Sequence, residues 1–367
     1  MSTPKNRLES LDAFRGLTIA GMILVNNGTG SERYSPLKHA DWHGWTPTDL
    51  VFPSFLLIAG VAIPLAFSKR TERGDSTGSL VAKVLRRTAL IFAIGMLMNA
   101  FPGLWPRRFP GVLQRIALCY MAASLLFLFL SRRALIITTI ALLVGYWAAM
   151  MWIPVPGVGA GDLSMMNNLA ARVDRGVLSG HLYKKDYDPE GLLSTIPAVA
   201  TTLIGVLTGL WFLNARPISE KVAGVFAAGS VLVALGAFWG LAFPINKALW
   251  TSSFALYSAG WSLLILGLFG WFVEVEGAKR WAWPFLVFGA NPLAAYVFSG
   301  LLMSVISKTQ VAGPLGETVS LRALIYRQGF ASWADPSLAS FLFALGYVIF
   351  WLLLMSVLYR FKVFIRL

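Results

Sequence analysis

The stretch TDLVFPSFLLIAGVAIPLAF, Thr48 to Phe67, decides the fold class. Beyond Asp49 it is apolar on every side of a helix rather than along one stripe, and a run of this length crosses ~30 Å of hydrocarbon. Runs of the same character recur at about 11–27, 85–101, 112–130, 134–153, 192–213, 222–243, 252–273, 282–303 and 338–358. Pro, Gly, Asn and charge fill the breaks between them. Strands of a transmembrane barrel would alternate instead. The sequence predicts an all-α polytopic membrane protein of about ten transmembrane helices, one domain over 1–367, with outer loops at about 28–47, 154–191 and 304–337.

Composition agrees, with 57% hydrophobic and 13% charged residues in a chain of 367, about half the charge of a soluble domain. The net charge of +14 raises a nucleic-acid partner, but its distribution excludes one. Lys69, Arg70, Arg73, Lys83, Arg86, Arg87, Arg132 and Arg133 sit in short loops on one side, and the positive-inside rule makes that side cytoplasmic. Both termini then face the cytoplasm. The lone Cys119 lies in an apolar run, which excludes an intrachain disulfide and a thiolate metal cage. Asp12 and Arg15 open the first run and no small-residue cleavage site closes it, so it reads as a retained helix. No long self-similarity relates the two halves, unlike an inverted-repeat transporter.

Working outward from Thr48, Thr46 can cap the second helix, Pro47 suits its first position and Asp49 stands where a capping-box acid stands. Pro53 and Pro64 predict a bend in it. Pro292, in Gly289-Ala290-Asn291-Pro292, predicts a break in the ninth helix, and such breaks border polar sites.

The loop before Thr48 holds His39 and His43. Their spacing of four would place both rings on one helical face and suggests zinc, but Gly44 and Pro47 oppose a helix there and no HExxH is present. No metal is expected. His43 lies between Trp42 and Trp45 and reads as an interfacial neighbour. His39 suits proton transfer near neutrality. Asp49 can cap the helix and also orient an imidazole. Asn26 and Asn27 offer amide donors to a developing oxyanion, or helix C-caps. Arg15, Arg86 and Arg87 read as snorkelling topology signals or as a cationic mouth for cofactor phosphates. Arg115 opens an apolar helix, where an ionisable group faces an interior and has partners.

Six blocks are then similar to one family. Leu11-Asp12-Ala13-Phe14-Arg15-Gly16 with Val25-Asn26, Lys38-His39-Ala40 with Trp42, and Asp49-Leu50-Val51-Phe52-Pro53 are followed by Pro110-Gly111-Val112-Leu113-Gln114-Arg115. Asp188-Pro189-Glu190-Gly191-Leu192-Leu193 and Pro244-Ile245-Asn246-Lys247-Ala248-Leu249-Trp250 complete the order. Together they resemble the heparan-α-glucosaminide N-acetyltransferase family, with its bacterial NagX-type members. Trp42-His43-Gly44 replaces the family's Trp-Asn-Gly, so His43 gains no support from it.

The resemblance implies a transmembrane acyltransferase fold in a bacterial inner membrane. It implies transfer of acetyl from cytoplasmic acetyl-CoA to the amine of glucosamine or a terminal glucosaminide. It places the family's histidine on His39 and its asparagine on Asn26, and the residue chemistry adds Asp49 as the orienting acid. His39 acts either as general base or as a transient acetyl carrier. Arg15, Arg86, Arg87 and Arg115 are the candidates for acetyl-CoA. Asp188, Glu190, Asn246 and Asn291 are the candidates for the amino sugar. By analogy a homodimer is the suggested oligomer. The competing reading is an amino-sugar permease for N-acetylglucosamine without acyl transfer.

Overall fold

The computed structural model describes residues 8–30, 32–101, 103, 105–314 and 316–365. They are mostly helical, and they group into two compact units. Of the described residues, the first gathers those of 8–39, 46–51 and 269–365, and the second those of 40–45 and 52–268.

In the first unit, α1 (Glu9–Asn27) packs on α10 (Trp283–Ala290) with backbones in contact. A Cβ at Gly16 would lie 1.7 Å from the Phe285 carbonyl oxygen, and one at Gly289 would lie 2.0 Å from that of Asp12. Only glycine admits such an approach, a common device between membrane helices. The chain then turns at Asn291 into α11 (Pro292–Lys308), and the two helices are bent by 83°. Pro292 has no N–H to continue α10 yet suits the first position of α11, so the expected break is present. Asn291 occupies the corner, its amide donating to Val363 O at 2.9 Å and accepting from Ile365 N at 2.8 Å.

After α11, β1 (Gln310–Ala312) and β2 (Thr318–Ser320) form an antiparallel hairpin, with Val311 opposite Val319. Next come α12 (Leu321–Tyr326) and α13 (Pro336–Arg360), the latter capped by Asp335, which accepts from Ser337 N and Leu338 N. The expected loop at 304–337 is therefore partly ordered structure.

The second unit holds most of α2 (Val51–Thr71), then α3 (Thr77–Ala100), α4 (Val112–Phe129) and α5 (Arg132–Trp152). A short α6 (Leu169–Val177) lies within the expected loop at 154–191, its first turn capped by Asn168. Then come α7 (Thr195–Phe212), α8 (Ile218–Trp239) and α9 (Ser252–Phe269). Helices α2 and α7 cross at Gly60 and Gly205, where added Cβ atoms would fall 2.0 Å from Thr202 O and 2.2 Å from Leu57 O. Below that crossing, Ile63, Phe67, Val84, Tyr120, Ala123, Leu203 and Val206 form a buried cluster.

Among the described residues seven helices are long and apolar enough to cross a membrane: α2, α4, α5, α7, α8, α9 and α13. The bent pair α10–α11 would make an eighth. The expected runs at 11–27 and 85–101 coincide with α1 and α3, whose ionic residues Glu9, Asp12, Arg15, Lys83, Arg86 and Arg87 dilute their apolarity.

Candidate active site

The loop after α1 is braced from within. A 3₁₀ turn, Pro47–Leu50, precedes α2, and the Thr46 N–H donates to Asp49 Oδ2 at 3.0 Å in a capping-box arrangement. The Thr46 hydroxyl lies 2.6 Å from Lys38 O, and the Thr48 hydroxyl donates to Pro36 O at 2.9 Å. These bonds fix the stretch from Pro36 to His39 against the start of α2.

The other oxygen of the same carboxylate, Oδ1, lies 2.6 Å from His39 Nδ1. The Asp49 side chain is 1% exposed and the His39 ring 55% exposed. A buried acceptor at Nδ1 favours the tautomer with the proton on that nitrogen, which leaves Nε2 an unprotonated base. Capping and orientation, both expected of Asp49, use different oxygens of one group.

Asn26 is exposed at the end of α1, and among the described residues no hydrogen bond joins it to His39 or Asp49. Its neighbour Asn27 is buried, with its amide donating to Ile23 O at 2.7 Å. Two arginines hold the carbonyls that follow. Arg322 donates to Thr29 Oγ1 at 3.0 Å, Gly28 O at 3.1 Å and Asn27 O at 3.3 Å, and Arg33 also donates to Gly28 O. Cations at a helix C-terminus satisfy its last carbonyls and its dipole. Burial, with Arg33 beside it, draws the Arg322 guanidinium below its ordinary pKa.

The remaining candidates occupy separate places. In the second unit Arg108 bridges Asp188 and Glu190, and its guanidinium lies 4.7 Å from the Tyr183 ring centroid. Burial opposes the charge of Arg108, but these two carboxylates outweigh it and hold its pKa above the ordinary value. Arg115 is buried, donates to Gly191 O at 3.0 Å and to Ser194 Oγ, and stacks 5.2 Å from the Trp250 ring. It therefore anchors the 188–194 segment.

Arg86 and Arg87 are exposed, with Arg87 standing 4.9 Å over the Tyr120 ring. Arg15 pairs with Asp12 at 2.8 Å in the first unit. Asn246 is buried and lies 3.3 Å from His43 Nδ1, while Gly44 N donates to Ile245 O at 2.7 Å. Burial lowers the His43 pKa. Among the described residues no group of three His, Cys, Asp or Glu side chains could hold a metal ion.

Thus the structure joins His39 to Asp49 and Asp188 to Glu190, and it adds Arg108, Arg33 and Arg322, which the sequence reading missed. Arg108 had one available signal, its place two residues before the Pro110-Gly111 block.

Residues 7–243 match the family model described as Heparan-alpha-glucosaminide N-acetyltransferase, catalytic. The chain is 31% identical to the Heparan-alpha-glucosaminide N-acetyltransferase of Mus musculus over 351 residues, covering 80% of this chain and 53% of that one. It is 31% identical to the protein of the same name from Homo sapiens over 350 residues, covering 79% and 52%. The chain thus spans about half the length of the curated relatives it matches. The chain belongs to the heparan-alpha-glucosaminide N-acetyltransferase catalytic family.

Proposed function

We propose that this chain is a multi-pass membrane acetyltransferase that moves acetyl from acetyl-CoA to the amine of glucosamine or a terminal glucosaminide. The observation that carries the reading is the His39–Asp49 pair, an exposed imidazole oriented by a buried carboxylate. Acetyl transfer needs a base at the attacking amine, and Nε2 of His39 supplies one. The amine nitrogen bonds to the thioester carbonyl carbon, its proton passes to Nε2, and the carbon–sulfur bond breaks as the CoA thiolate leaves. His39 then returns the proton to the thiolate. A variant in which Nε2 itself carries the acetyl group uses the same ring nitrogen.

Asn26 would donate its amide N–H to the carbonyl oxygen as charge develops there. Arg86 and Arg87, exposed and without a carboxylate partner among the described residues, suit the phosphates of CoA. Arg15 is already paired with Asp12, whereas Arg115 is held to the 188–194 segment through Nη2 and keeps its buried Nε and Nη1 donors without a hydrogen-bond partner among the described residues. Asp188, Glu190, Asn246 and Asn291 remain the residues proposed for the sugar.

The basic loops give the orientation: ten crossings, both termini cytoplasmic, and His39 on the outer face of a bacterial inner membrane. Purified protein given acetyl-CoA and glucosamine should release free CoA and form N-acetylglucosamine in equal amounts. Counterflow of labelled N-acetylglucosamine in liposomes, with no CoA released from acetyl-CoA, would favour a permease instead.

A further inference from the structure

A cleft of about 550 Å³ runs through the second unit between α5, α7, α8 and α9. Ile140, Leu207, Val225 and Leu232 make it apolar, and the hydroxyl protons of its two threonines are already committed within their own helices. The Thr139 hydroxyl donates to Leu135 O at 2.8 Å and that of Thr208 to Ile204 O at 2.9 Å, both within their own helices. A sugar or nucleotide buried here would lose its hydration without replacement partners. From Gly224 to Trp239 the α8 wall is about 22 Å long at ~1.5 Å per residue, most of the ~30 Å hydrocarbon thickness.

One end of the cleft, where α5 begins and α7 finishes, is cationic. Arg132 and Arg133 precede Ile136 of the lining by about one turn and share its face. Both are exposed, and neither side chain has a hydrogen bond or ion pair among the described residues. They also stand in the first turn of α5, where the helix dipole disfavours positive charge. Topology asks for Lys or Arg somewhere in such a loop, but not for two on the face of the cleft. The Arg216 guanidinium lies 5.2 Å from the ring of Trp211, another lining residue, and Lys221 donates to Phe212 O at 2.9 Å. Glu220, paired with Arg216 at 3.5 Å, offsets this charge only in part.

We propose that the cleft seats an anionic glycerophospholipid, with one acyl chain along α8 and its phosphate held by Arg132 and Arg133. A second copy of the chain is disfavoured as the occupant. A two-fold contact at this face would set the same cations against themselves across a low-dielectric medium.

Native mass spectrometry of the detergent-solubilised full chain, offered equal phosphatidylglycerol and phosphatidylcholine, tests this. One phosphatidylglycerol should be retained with about 30-fold preference, given about 1 kcal/mol from each of the two arginines near anionic lipid. The Arg132→Gln/Arg133→Gln variant alters only exposed side chains and should abolish the preference while leaving phosphatidylcholine retention unchanged. Ala228→Phe, which fills the cleft, should reduce retention of both lipids. Equal retention by the parent chain, a preference that survives the double arginine variant, or a dimer that Ala228→Phe dissociates would each overturn the proposal.

Discussion

The Asp49 carboxylate lies 2.6 Å from Nδ1 of His39, and the pair is asymmetric, with the acid buried and the ring open to solvent. Asp49→Asn keeps the size of the side chain and an acceptor oxygen for Thr46 N, so the start of α2 should lose only about 1 kcal/mol. The charge behind the imidazole is lost, and turnover should fall by about 10²–10⁴-fold. Initial rates of CoA release, together with thermal unfolding, separate the two effects. A rate equal to that of the parent chain would remove Asp49 from the chemistry.

Arg108 neutralises Asp188, whose side chain is fully buried, and also pairs with Glu190. Truncation to Ala leaves a buried carboxylate uncompensated, which costs about 3–5 kcal/mol. Arg108→Lys keeps the charge but loses the forked geometry, and its loss should be smaller. Denaturant unfolding in detergent measures both. Equal stability of Arg108→Ala and the parent would contradict the bridge.

Burial pushes the Asp174 carboxyl up to about 6, against the hydrogen bond it accepts from Leu192 N. The unfolded chain returns it to ~3.9, so the folded state binds the proton more tightly. The stabilising contribution is complete below about pH 4 and is lost as the pH rises through about 6. Thermal stability should therefore decline across that window. Asp174→Asn, which keeps the acceptor for Leu192 N, should flatten the decline by on the order of 3 kcal/mol. A variant that retains the full decline would assign it to other groups.

The contact of α1 with α10 makes Gly16 and Gly21 opposites on one helix. A methyl at Gly16 meets the Phe285 backbone at 1.7 Å, whereas one at Gly21 meets only the Val51 side chain, at 3.6 Å. Gly16→Ala should cost about 1–3 kcal/mol or more by overpacking. Gly21→Ala should be neutral or stabilising by about 0.5–1 kcal/mol, as usual inside a helix. Similar melting temperatures for the two variants would refute the close crossing.

The helices were legible because apolarity on every face at membrane length needs no knowledge of partners. The break at Asn291 was legible because Pro292 forbids continuation of α10. Helix α3 begins at Thr77, ahead of the expected 85, because its first turns are polar and carry no membrane signal. The β1–β2 hairpin has three residues in each strand, too few to show alternation. The unit boundaries near 52 and 269 fall inside apolar runs, where composition does not change. In the site, the pairing of His39 with Asp49 followed from a capping signal and a nearby imidazole. Arg108 reaches Asp188 across 80 positions and Arg322 reaches Thr29 across 293, and no local pattern encodes such contacts.

His39 is the residue on which the functional account turns. The most direct measurement is the rate of CoA release from acetyl-CoA and glucosamine by His39→Ala, beside the parent chain at equal folded protein. His39 is more than half exposed, so the substitution should leave the fold intact. The account predicts a rate lower by about 10²–10⁴-fold, the usual contribution of a positioned base. An unchanged rate in the folded variant would contradict it.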